Sequence, residues 1–249
     1  MSKLISNKRE RQKGFTLIEM SIVLVIIGLI IGGILKGQEI IESARQKNLI
    51  SQFDALRGAV NTFVDRFGSI PGDYALATTR ISGNTNYVNG GGNGVLGTAA
   101  TTVATVSTND GSAAGSENLQ FFIHLAGADL LEGVAAVNAV PTAFGSNSAL
   151  PATPISGAGI SVVSGLYNHA TSPRSSVWGR VHRVIAAPVA ALSPSVAFQI
   201  DSKIDDGISG TGAFRTDQAT NCGTADAVTQ DYAFTNQNTL CIGIFDIVR

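Results

Sequence analysis

Residues 15–35, FTLIEMSIVLVIIGLIIGGIL, are an apolar run of twenty-one residues interrupted by one charge, Glu19. At about 1.5 Å of rise per residue the run spans roughly 30 Å as a helix, the thickness of a bilayer core. A cleavable secretory signal has a shorter apolar core followed by a small-x-small cleavage site. Here the run is too long for that and no Ala-x-Ala follows it, so the segment is expected to stay in the protein. The thirteen residues before Gly14 hold Lys3, Lys8, Arg9, Arg11 and Lys13 against one acid, Glu10, a local charge of +4. With a net charge of -1 for the whole chain, the remainder carries -5. A basic head before an apolar run orients a membrane segment, because the positive end stays in the cytoplasm.

The helix is expected to continue past the apolar run. Leu49, Phe53, Leu56, Val60, Phe63 and Phe67 recur at alternating spacings of four and three, an apolar stripe on one helical face. Gly68, Pro71 and Gly72 then stop it. The first half of this helix is apolar all round and the second half one-sided. Such a helix lies in lipid at one end and packs on a folded domain at the other.

Beyond the helix, polarity comes from small uncharged residues. Charged residues are only 14% of the chain, below the usual share in soluble domains, and Gly, Ser, Thr and Asn dominate from about residue 80 to 175. Residues 80–115, with NGGGNG at 89–94, read as a long surface loop with room for a short hairpin. Residues 116–132 place Leu119, Phe122, Ile123, Ala126 and Leu130 at helical spacing, with Ser116 as N-cap and Gly133 as stop. Short β-branched runs at 159–167, 181–187, 196–200 and 242–248 predict an antiparallel sheet. The expected class is therefore α+β. Cys222 and Cys241 are an isolated close pair, which in an exported domain predicts one disulfide.

Catalytic and ligand motifs find little support. Gly92 to Gly97 formally fits G-x-G-x-x-G, but neither a hydrophobic strand before it nor a helix after it is readable, so nucleotide binding is not expected. His124, His169 and His182 are scattered without metal-ligand spacing. No G-x-S-x-G elbow occurs and no basic stripe that would bind nucleic acid. Asp201, Asp205 and Asp206, with Asp217, offer oxygen ligands of the kind calcium takes. They do not form an EF-hand, and Asp-Asp-Gly is also a plain turn. No cofactor is otherwise expected.

Lys13-Gly14-Phe15-Thr16-Leu17-Ile18-Glu19 resembles the processing site of type IV prepilins and the related pseudopilins. A basic leader, a Gly before an aromatic residue, a Glu four positions after it and the apolar run all coincide. The resemblance implies that a prepilin peptidase cuts after Gly14 and methylates the new amine of Phe15. It also implies that Glu19 neutralises the amine of a neighbouring subunit during docking. A carboxylate in a membrane helix is costly and needs a partner. Cleavage supplies one, because Phe15 then carries a positive α-amine one turn from Glu19.

The small-xxx-small spacings of Gly28, Gly32, Gly33 and Gly37 suit close helix packing in lipid. Many pilins carry a Pro where this chain has Lys36; the nearby glycines leave open whether the helix unwinds there. The stretches Phe67-Gly68-Ser69-Ile70-Pro71-Gly72-Asp73 and Ile200-Asp201-Ser202-Lys203-Ile204-Asp205-Asp206-Gly207 look like segments of a branch of bacterial pilin-like proteins. The cysteine pair resembles the C-terminal disulfide loop of many pilins.

The organisation this implies is a cleaved leader at 1–14, a transmembrane and filament-core helix at 15–37, an amphipathic helix at 38–67, and a pilin-like α+β head at 68–249 ending in the disulfide loop. The expected role is assembly into a helical homo-oligomeric filament, not catalysis. Its partners would be membrane lipid, a prepilin peptidase, an assembly platform and an ATPase. The protein would sit in the inner membrane first, then in a cell-surface pilus or a periplasmic pseudopilus. A pseudopilin of a type II secretion system is the alternative within the class. A single-span membrane-anchored periplasmic binding protein or enzyme is the alternative outside it.

Overall fold

The computed structural model describes residues 14–82, 86–97, 114–167, 174–185, 189–216, 222–223, 232–235, 238 and 241–248. Residues 1–13 lie outside them, as do His169 and Asp217. The chain divides into two units, Met1–Ala44 and Arg45–Arg249.

The first unit is the start of α1, Leu17–Phe67, a helix of 51 residues. Every residue from 14 to 36 is exposed. This helix is long and apolar enough to cross a membrane. It runs unbroken through Gly28, Gly32, Gly33 and Gly37, and a Cβ at any of the four would meet nothing within 4 Å. Lys36 sits in the helix and pairs with Glu39 at 2.7 Å.

In the second unit the end of α1 buries the expected stripe. Leu49, Phe53, Leu56, Val60 and Phe63 are all in the core, joined by Gln46 and Ala59. Gln46 is a buried amide, and its two ends are satisfied by Gln199 at 2.8 Å and Lys203 at 2.7 Å. Gly68 ends the helix with φ +71°, a left-handed conformation that glycine adopts without a Cβ clash.

The sheet is four-stranded and antiparallel, in the order β1 (Gly159–Tyr167), β2 (Arg174–His182), β4 (Gly243–Asp246), β3 (Phe214–Thr216). With the long N-terminal helix this makes the fold α+β. Register aligns Val162, Gly179, Phe245 and Phe214 in one row across the sheet. Phe53 of α1 stacks on Phe245 with centroids 3.6 Å apart and planes 8° from parallel. That approach depends on Gly179, where a Cβ would lie 2.6 Å from Phe53 Cε1. The opposite face carries a smaller cluster of Val163, Tyr167, Trp178, Ile242 and Ile244. The buried Arg215 guanidinium lies 4.8 Å from the Tyr167 ring centroid and 5.3 Å from that of Trp178, a cation–π pairing that offsets its burial.

Three sequence expectations need correction. The run 196–200 is not a strand but part of the helix α4, Pro194–Ile204. Ser193 caps it by accepting the Val196 N–H, and Pro194 sits where a missing N–H costs nothing. The run at 181–187 overlaps the real strand only at Val181 and His182; β2 begins at Arg174 because pairing with β1 sets its register. The middle helix, α3 (Glu117–Gly127), does start after the Ser116 cap, but it ends well before Gly133. Asp129 takes the left-handed position at φ 58°, and Leu130 N–H closes on Leu125 O at 3.0 Å, a helix-ending motif usually built on glycine. The short helix α2, Ala77–Arg80, had no sequence signal.

Candidate functional site

The N-terminal segment is built around the start of α1. Gly14, Phe15 and Thr16 precede the helix, and Phe15 is 79% exposed. Thr16 Oγ1 accepts the Glu19 N–H at 3.3 Å, while Glu19 Oε2 accepts the Thr16 N–H at 2.8 Å and the Thr16 hydroxyl at 2.7 Å. This is a reciprocal capping box, which satisfies donors that a helix start otherwise leaves free. Thr16 has a sequence signature, Thr-x-x-Glu before an apolar run, that reading Glu19 only as a charge overlooks. Glu19 is the only ionisable residue between Leu17 and Leu35.

In the second unit Cys222 and Cys241 form the expected disulfide, wholly buried. Cys241 also pairs with Leu192 through two backbone hydrogen bonds, so the bridge is anchored to the segment leading into α4.

The glycine-rich loop at 86–97 has a structural role. Asn93 and Gly94 donate their N–H groups to the Asp73 carboxylate at 3.0 and 2.7 Å. Gly91 and Gly97 donate theirs to Glu117. The donors that a phosphate would need are thus occupied by the chain's own carboxylates. His124 lies buried beneath this loop, and burial lowers its pKa to about 4. His182 is likewise a buried structural residue, 2.7 Å from Ser161 Oγ and 2.8 Å from Val184 O.

Asp201, Asp205 and Asp206 come together, with one oxygen of each within 4.8 Å of the others. Most of their acceptor capacity is spent on a turn. Asp205 takes the N–H groups of Asp206, Ala213 and Phe214, and Asp206 takes those of Ile208 and the Thr211 hydroxyl. Asp201 is buried and accepts the Tyr232 hydroxyl at 2.7 Å. Burial, then a hydrogen bond with Asp205, pushes its pKa up to about 9. Calcium takes six to eight oxygens, and the oxygens of Asp205 and Asp206 here already accept the turn's own donors.

Taken together, these features define an α+β protein with an apolar N-terminal helix suited to membrane insertion and a single carboxylate near that helix's start. The prokaryotic N-terminal methylation motif, the signature of type IV pilins and pseudopilins, matches residues 9–35. That span covers the basic residues from Arg9 to Lys13, Gly14, Phe15, Thr16, Glu19 and the apolar run. No curated protein and no solved structure matches the chain.

Proposed function

We propose that this chain is the precursor of a structural subunit of a type IV pilus-like filament. The basic leader stays on the cytoplasmic side while α1 enters the membrane. A prepilin peptidase hydrolyses the Gly14–Phe15 bond, releasing the leader and leaving a positive α-amine on Phe15, which is then methylated. Glu19 of one copy neutralises that amine on its neighbour, and helices pack through the open faces of Gly28, Gly32, Gly33 and Gly37. The head then forms the filament surface. The chain's role is mechanical assembly, driven by a separate ATPase and membrane platform.

The observation that carries this reading is the lone carboxylate in an apolar helix, one turn from the residue that gains an amine. Breaking a buried ion pair by removing one partner typically costs about 3–5 kcal/mol. Incurred at every subunit addition, that cost stops growth. Glu19→Leu should therefore leave cleavage and membrane residence intact while abolishing fibres. The measurement pairs the precursor-to-mature ratio by blotting with fibre yield after shearing, in cells lacking a wild-type copy. Normal fibre yield from Glu19→Leu would rule out the charge-pair mechanism. Mass spectrometry of sheared surface fibres separates a pilus subunit, which is found in them, from a periplasmic pseudopilin.

A further inference from the structure

The Glu19 carboxylate is used asymmetrically. Oε2 accepts two hydrogen bonds, from the Thr16 N–H at 2.8 Å and the Thr16 hydroxyl at 2.7 Å. No described residue donates to Oε1. The Thr16 hydroxyl closes the arrangement by accepting the Glu19 N–H at 3.3 Å. All of this lies within one turn, so a single chain forms it without a partner. A glutamate side chain loses considerable rotamer freedom when it is fixed. Here that freedom is already lost before any second copy arrives.

We propose that Thr16 is a positioning residue for assembly: it commits one oxygen of Glu19 and presents the other, Oε1, to the α-amine of an incoming copy. The proposal rests on the charge-pair reading above. Three consequences follow from the geometry. The carboxylate is partly satisfied in lipid before docking, where an unpaired one would be costly. Docking adds a cation to Oε1 without breaking either Thr16 bond. The ordering of the long side chain is done in advance, which is how preorganisation strengthens association without new contacts. Cleavage leaves the arrangement intact, because the Thr16 N–H remains an amide within the mature chain.

The hydroxyl can be separated from the cap. Thr16→Val keeps the β-branched shape and deletes the hydroxyl. Thr16→Ser keeps the hydroxyl. Thr16→Gly nearly keeps the cap, since Gly ranks beside Thr there, but has no side-chain donor for Glu19. Each full-length variant is expressed without a wild-type copy, and fibre yield is taken per mature molecule so that altered processing does not count.

Thr16→Val and Thr16→Gly should each lower fibre yield about tenfold, the scale of one lost hydrogen bond to a charged group. Thr16→Ser should stay within about twofold of wild type, since it retains that bond. Wild-type yield from Thr16→Val overturns the proposal. So does Thr16→Gly matching Thr16→Ser, which would assign Thr16 to capping alone. In either case fibre loss in Glu19→Leu would leave the charge pair standing. Normal fibres from Glu19→Leu would remove both.

Discussion

Gly72 donates its backbone N–H to Nδ1 of His124 at 2.9 Å, across 52 residues of sequence. That donor fixes the tautomer: Nδ1 must be the acceptor, so Nε2 carries the hydrogen and donates to Val88 O at 3.0 Å. The ring therefore joins three segments: the turn after α1, the glycine-rich loop and α3. Phe63 stacks over the ring with centroids 6.3 Å apart, and Tyr87 meets it edge-on. Gly72 itself is at φ +89°, where a Cβ would overlap the Glu117 carbonyl.

This arrangement makes stability depend on acid. The unfolded imidazole titrates near 6.5 and the buried one at about 4, so between those values the unfolded chain binds more protons. Stability is full above pH 6.5 and falls as pH drops toward 4, by at most about 3 kcal/mol. Protonated Nδ1 also loses its bond from Gly72. Thermal midpoints of the detergent-solubilised protein between pH 7 and 4 measure the effect. His124→Gln should lower the midpoint at pH 7 and flatten its dependence on pH across that window.

Two glycines should respond oppositely to alanine. At Gly90 a Cβ would overlap Gly72 O and the Asp73 backbone, and none of these can swing away as a side chain does. Gly90→Ala should destabilise the head by about 3 kcal/mol, the upper range of overpacking. At Gly58, on the exposed side of α1, a Cβ meets nothing within 4 Å. Gly58→Ala should stabilise by up to about 1 kcal/mol, the helix propensity difference. Denaturant midpoints of the two variants check both signs.

The disulfide closes a sequence separation of 19. Loop closure on that scale contributes about 3 kcal/mol in the chain-entropy description. Replacing both Cys222 and Cys241 by Ser should lower stability by that order. In wild-type protein recovered from outside the cytoplasm, neither thiol should label under denaturing, non-reducing conditions. Quantitative labelling of both would refute the bridge in the cell.

Processing is open to a direct test. A bulky β-branched residue at position 14 should block a peptidase that reads the Gly14-Phe15 junction. Gly14→Val should accumulate as an uncut precursor in the membrane. A mature product of wild-type mass from that variant would place the cut elsewhere.

Three features were legible in the sequence because each has a local signature. The apolar run with Glu19 needs only its own length and composition. The stripe from Leu49 to Phe67 follows from helical period; its residues through Phe63 are buried, and Phe67 packs half-buried against the same core. The cysteine pair needed only proximity in the chain and an exported setting. The Ser193-Pro194 start of α4 and the Thr16-x-x-Glu19 box were equally local, but the β-branched character of 196–200 and the charge of Glu19 drew the reading elsewhere.

What the chain alone determined is thus the long N-terminal helix with its apolar first half, its buried face and the disulfide, all set by residues close in sequence. Tertiary structure decided the rest. Where β2 begins depends on β1. Gly179 is explained only by Phe53 approaching from α1. The glycine-rich loop holds its shape because Asp73 and Glu117 fill its backbone donors. The strand start is a pairing between two chain segments, and the other two are steric or hydrogen-bonding demands between groups 20 or more residues apart. No local pattern encodes such a demand, because the partner exists only once the chain has folded around it.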